Sequence, residues 1–149
     1  MRFLLAIICC KLLRLALRLL GRGGTALPGQ VALRICPDML SRLSRGVRVA
    51  VVTGTNGKTT TCRMLEKMLR DAGEDCFANR SGSNLERGIT ADFVSNADIF
   101  GRPRRRLAVI ECDEAAFRRV CGELAPAVCM VTNVFRDQLD RYGEVTHTL

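Results

Sequence analysis

The chain has 149 residues, 48% hydrophobic and 26% charged. That balance excludes collagen-like, disordered and polytopic membrane architectures and suits one domain of roughly 100–200 residues. The +8 formal charge is local: residues 1–49 hold nine cations and one acid, Asp38, leaving 14 of each sign in residues 50–149. No basic groove runs through the body, which argues against a nucleic-acid-binding fold.

The first predicted element is a helix over Phe3–Leu20, apolar except for Lys11, Arg14 and Arg18, with Arg22 extending the series. Spacings of three, four and four place these cations on one face, so the leader reads as an amphipathic helix with a basic stripe. A membrane span needs ~20 mostly uncharged residues, and the longest uncharged run within this helix is Phe3–Cys10. A signal peptide would need a small-residue cleavage site, and none follows. Two readings stay open: a helix lying on an anionic membrane face, or one packed on its own protein or a partner. Gly21, Gly23, Gly24, Pro28 and Gly29 then predict a flexible connector, a short helix spans Pro37–Leu43, and Gly46 precedes the globular body. Residues 1–46 thus form the leader and connector, and 47–149 the body.

The body alternates strand and helix. Val47–Thr53 is a β-branched run that reads as a buried strand. It leads into G-T-N-G-K-T-T-T at 54–61, then into a helix with Met64, Leu65, Met68 and Leu69 at helical spacing. A short strand over Asp75–Ala78 precedes the polar loop N-R-S-G-S-N-L at 79–85. Leu107–Glu111 is an apolar strand ending in an acid, Glu114–Leu124 a helix, and Pro126–Thr132 a further strand ending at Asn133. Strands separated by helices predict a doubly wound parallel α/β sheet. Ligands bind such sheets at the carboxyl ends of strands, where Thr53–Thr60, Glu111–Glu114 and Thr132–Asp137 all fall.

Each cluster has a chemical rationale. Gly54 and Gly57 permit positive φ and close approach to an anion, and a helix N-terminus offers free N–H groups at the positive end of its dipole. Lys58 supplies a point charge for the β- and γ-phosphates, and the Thr59 hydroxyl can ligate Mg²⁺. The full pattern G-x-x-x-x-G-K-[ST] would need Gly at position 52, which is Val52, so a shorter G-x-x-G-K-T remains. Glu111 ends an apolar strand, where a carboxylate needs a compensating cation, and a Mg²⁺ shared with Thr59 would provide one. Asp113 and Glu114 suit a helix cap or a supporting role.

The eight cysteines form no C-x-x-C pair, which removes the usual zinc and redox motifs and fits a reducing cytosol. Cys76, Cys112 and Cys129 lie in apolar, strand-like runs and are expected to be buried small hydrophobes. The single histidine, His147, excludes a His-centred triad.

T-G-T-N-G-K-T-T, S-G-S-N-L-E-R-G, E-C-D-E-A and T-N-V-F-R-D-Q-L-D-R-Y-G-E, in this order, resemble the ATP-binding central domain of the Mur ligase family. Residues 135–144 and the G-R-G-G-T-A-L-P-G of residues 21–29 are most similar to the branch that amidates lipid II together with a GatD-like glutaminase. The resemblance implies a P-loop α/β domain using ATP and Mg²⁺ to activate the α-carboxylate of D-glutamate in the lipid II stem peptide as an acyl phosphate. It implies nucleotide binding by Gly54, Thr55, Asn56, Gly57, Lys58, Thr59, Thr60 and Asn133, and metal binding by Thr59 and Glu111. Gln138 stands where many relatives have a histidine that holds a second metal ion. The resemblance also implies further central-domain strands, a zinc-ribbon insertion and a C-terminal ligase domain beyond Leu149, so the chain reads as an N-terminal fragment with its catalytic residues elsewhere. The other readings are a folylpolyglutamate synthase-like ligase or a non-catalytic ATP-binding subunit at the membrane.

Overall fold

The computed structural model of the protein describes residues 1–21, 24, 26–79 and 83–134. The block at 135–144, Gln138, His147 and the arginine at position 22 lie outside them. Helices α1 (Arg2–Leu19), α2 (Ala26–Ile35) and α3 (Met39–Leu43) precede β1 (Arg48–Thr53), α4 (Lys58–Asp71), β2 (Cys76–Ala78), α5 (Glu86–Asn96), β3 (Leu107–Glu111), α6 (Glu114–Leu124) and β4 (Val128–Val131). The four strands form one parallel sheet in the order β2-β3-β1-β4.

Strand alternation divides the apolar side chains between two layers. Val52 and Val109 meet Cys62, Leu65, Leu69 and Ala78 on the α4 face. Val49, Val51, Ala108 and Ile110 join the larger core on the opposite face, with residues of α1, α2, α3, α5 and α6. Helices therefore cover both faces, as the βα alternation predicts.

Several expectations need correction. Pro28 and Gly29 belong to α2 and are buried, not part of a flexible connector. Pro28 sits in the first turn, where its missing N–H costs no helical bond. Gly29 abuts α5 so closely that a Cβ would lie 1.7 Å from the Arg87 carbonyl oxygen. Met64 and Met68 are exposed while Leu65 and Leu69 pack inward. Cys76 and Cys112 are fully buried, but Cys129 is exposed, because β4 is the outer strand beside β1 and all four of its residues are exposed. Helix α5 has no counterpart in the sequence reading: eight of its eleven residues are buried, so it lacks the polar face on which helical periodicity depends.

The leader is a helix, as expected, and it packs on its own protein through Ala6, Ile7 and Cys10. Its basic stripe does not face solvent uniformly. Lys11 donates to the Ala97 carbonyl, and Arg14 to Ala91 O, Asp92 and Ser95. Both Arg14 bonds to Asp92 Oδ1 measure 3.1 Å. Among the described residues, no helix is long and apolar enough to cross a membrane.

Candidate functional site

At the carboxyl end of β1 the chain turns through Gly54 (φ +123°) and Gly57 (φ +85°) before α4 begins at Lys58. Both backbone conformations lie where L side chains are rarely found. At Gly54 there is also no room, since a Cβ would sit 2.4 Å from Thr132 Oγ1 and 2.6 Å from Asn133 O. Gly57 is the N-cap of α4 and contributes no side-chain cap, so the first-turn N–H groups of a 14-residue helix are left for a ligand.

The loop is held in shape by the end of β4. Thr55 N donates to Asn133 O and Asn56 N to Asn133 Oδ1, each at 2.9 Å, and Asn133 Nδ2 returns a bond to Asn56 O at 2.9 Å. Thr132 Oγ1 donates to Asn56 O at 2.7 Å. Asn133 thus braces the loop backbone, and the sequence reading had no signal for the matching part played by Thr132.

Lys58 Nζ lies over the loop, donating to Gly54 O and, at 3.3 Å, to Thr55 O, and it faces Glu114 Oε2 at 3.4 Å. The Lys58 and Glu114 side chains are 13% and 6% exposed. The second carboxylate oxygen of Glu114 is buried without a hydrogen-bond partner, so Lys58 is the cation that compensates this acid. Sequence reasoning gave Glu114 only a capping or supporting role. Asp113 does cap α6, its side chain accepting from Ala115 N.

The Thr59 hydroxyl donates to Glu111 Oε2 at 2.9 Å. Glu111 is fixed from behind: its N–H donates to Asn79 Oδ1 at 2.7 Å, and its carbonyl accepts from Asn79 Nδ2 at 2.7 Å. Asn79 also donates to Ser83 O at 2.8 Å. This bridge between the ends of β2 and β3 was not foreseen, although an Asn immediately after a strand marks a carboxyl-end position. A hydroxyl and a carboxylate form a hard oxygen donor set of the kind Mg²⁺ takes. Among the described residues, no group of three or more His, Cys, Asp or Glu is arranged to hold a metal ion. The donors suit an ion that completes its shell with phosphate oxygens and water rather than an all-protein cage.

No thiol near the site is activated. Burial, then the charges of Glu111 and Glu66, pushes Cys62 up to about 12, and burial does the same to Cys112. A thiol so far above neutrality is protonated and a poor nucleophile.

A glycine-shaped loop at a helix N-terminus, a lysine above it, and a Thr–carboxylate pair at the neighbouring strand end make up the strand–loop–helix arrangement of a P-loop-type α/β domain. The Mur ligase middle domain matches residues 52–148, and the chain belongs to the Mur ligase family. It is 40% identical over 146 residues to the lipid II isoglutaminyl synthase (glutamine-hydrolyzing) subunit MurT of Staphylococcus aureus (strain COL), covering 97% of this chain and 32% of that protein. The MurT subunit of Streptococcus pneumoniae is 40% identical over 129 residues, covering 87% of this chain and 28% of the relative. A UDP-N-acetylmuramate–L-alanine ligase of Mycolicibacterium vanbaalenii is 35% identical over 115 residues, with 73% of this chain and 20% of the relative covered. Among solved structures, MurF from Acinetobacter baumannii superposes with a TM-score of 0.59 at 21% identity over 76% of this chain and 24% of its own, a likeness of fold. The chain spans about a third of the length of the MurT relatives.

Proposed function

We propose that this chain is the nucleotide-binding part of an ATP-dependent amide ligase acting on the α-carboxylate of D-glutamate in the lipid II stem peptide. It works with a separate GatD-like glutaminase that supplies ammonia. The observation that carries the nucleotide site is the meeting of Thr59 and Glu111 at 2.9 Å beside the Gly54–Gly57 loop. The choice of substrate rests on similarity: the match to the MurT subunits reaches 97% of the chain and so includes the leader, whereas that to the L-alanine ligase covers 73%.

Bound here, Mg²⁺-ATP would supply the phosphoryl group that converts the carboxylate to an acyl phosphate open to ammonia. The chain's own residues bind and orient. The loop backbone from Gly54 to Gly57 and the α4 N-terminus, with Thr60, hold phosphate oxygens. Lys58 neutralises charge on the β- and γ-phosphates, and Thr59 with Glu111 holds the metal. Asn133 keeps the loop in register. Positioning and charge neutralisation are the main protein contributions to phosphoryl transfer. The ATP-binding domain begins at residue 47 in this reading, and the protein works in the cytoplasm, where its lipid-linked substrate faces it.

The thiols beside the site, Cys62 and Cys112, are buried and held protonated, which fits a separate glutaminase, since glutamine hydrolysis needs an activated nucleophile. The test incubates the full-length protein with Mg²⁺-ATP, lipid II and ammonium, following ADP and amidated product, and repeats it with glutamine alone. Amidation with ammonium but not with glutamine is expected. Glutamate release from glutamine without a partner, abolished by one Cys substitution, overturns the two-subunit reading. ADP formation dependent on a substrate other than lipid II overturns the choice of acceptor.

A further inference from the structure

We propose that the outward face of α1 docks on an anionic lipid surface. The inference stands on this helix alone and not on the ligase reading above. While Ala6, Ile7, Cys10 and Arg14 turn inward, Leu5, Ile8, Leu12, Leu15 and Leu19 repeat at intervals of three and four along the opposite side. All five are exposed, Leu12 at 61% and Leu19 at 81%. Leucines in this number on solvent are unusual for a helix already seated on its own core, and they form one continuous stripe.

Charge decides what covers the stripe. At 100° per residue, Arg2 falls on one rim of this face and Arg18 on the other, and both are exposed. No Asp or Glu precedes Asp38 in the sequence. A second copy of α1 would bring cations against cations, whereas helix pairs of this spacing use opposite charges at the flanking positions. An anionic lipid surface complements the rims, and the apolar stripe enters the headgroup–acyl boundary, as interfacial helices do. Beside the N-terminal half of α1, the turn at Gly101 abuts Phe3 and Ile7. It carries Ile99 and Phe100, exposed at 56% and 63%.

The test is co-sedimentation of the full-length protein with vesicles of phosphatidylcholine mixed with phosphatidylglycerol, and with phosphatidylcholine alone. The parent is expected to bind the mixed vesicles at least tenfold more tightly than the neutral ones, with binding falling as salt rises. The triple variant Ile8→Gln, Leu12→Gln, Leu15→Gln should lose at least tenfold in binding while its circular dichroism and melting temperature stay those of the parent. If that variant misfolds, Leu12→Gln alone serves, and a several-fold loss is expected. Arg2→Gln with Arg18→Gln should weaken binding to the mixed vesicles only. The proposal is overturned if the parent stays in the supernatant with anionic vesicles, if folded Leu variants bind as the parent does, or if light scattering shows a dimer that the substitutions dissociate without lipid.

Discussion

Thr59 and Glu111, 52 residues apart in sequence, are joined by a 2.9 Å hydrogen bond from the threonine hydroxyl to Glu111 Oε2. They meet because β1 and β3 are parallel neighbours in a register that pairs Val52 with Glu111, while α4 starts five residues beyond the end of β1. Glu111→Gln keeps the shape and the Asn79 backbone bonds but removes an anionic oxygen ligand. The expected result is a normal fold with ATP-dependent activity of the full-length protein shifted to higher Mg²⁺. Superimposable Mg²⁺ titrations of parent and variant would show that the carboxylate is structural.

Lys58→Ala removes the cation above the loop and leaves Glu114 uncompensated. A charge-assisted contact to phosphate is worth ~1.5–3 kcal/mol, so ATP affinity should fall by roughly tenfold or more. Calorimetric titration of the full-length protein with Mg²⁺-ATP measures it, and unchanged affinity contradicts the assignment.

Asp92 predicts a pH dependence of stability. Burial pushes its carboxyl up to about 6 even though Arg14 opposes the shift, and Asp92 Oδ2 is buried without a hydrogen-bond partner. Because the folded value lies above that of an unfolded aspartate, near ~3.9, the native state binds the extra proton between these values. Asp92 therefore contributes least above pH 6, and its contribution improves as pH falls toward 4. Relative to Asp92→Asn, the parent should gain about 2–3 kcal/mol in unfolding free energy between pH 7 and 4. Urea denaturation of both proteins at each pH reads the difference, and a constant difference refutes the shift.

Gly29→Ala tests how closely α2 and α5 approach. Helix propensity alone would make Ala stabilising by about 0.8–1 kcal/mol in an exposed helix. Here the new methyl would meet the Arg87 backbone oxygen and carbon at 1.7 and 2.7 Å. These are backbone atoms, so the helices must separate, and we expect a net loss of about 1–3 kcal/mol. A rise in the urea midpoint would mean that the helices part at little cost.

The sequence by itself determined the sheet and its phosphate loop. The runs Val49–Val52 and Leu107–Ile110 are wholly apolar because both sheet faces are covered, and G-T-N-G-K-T between strand and helix dictates positive-φ glycines at a helix start. The Asp113 cap and the limits of β3 and α6 were legible for the same reason, being set by local chemistry. Only the tertiary structure decided the strand order, the pairing of Lys58 with Glu114, and the Asn79 bridge behind Glu111. It alone revealed α5, whose burial erases its period, and left Cys129 exposed on the outer strand. The leader shows why: its spacing announced a cationic face and an apolar one, but α5 and its C-cap offered Asp92 and the Ala91 and Ala97 carbonyls, so Arg14 and Lys11 turned inward and the leucines outward. Periodicity states that a helix has two faces, and which face is covered depends on the groups its neighbours present.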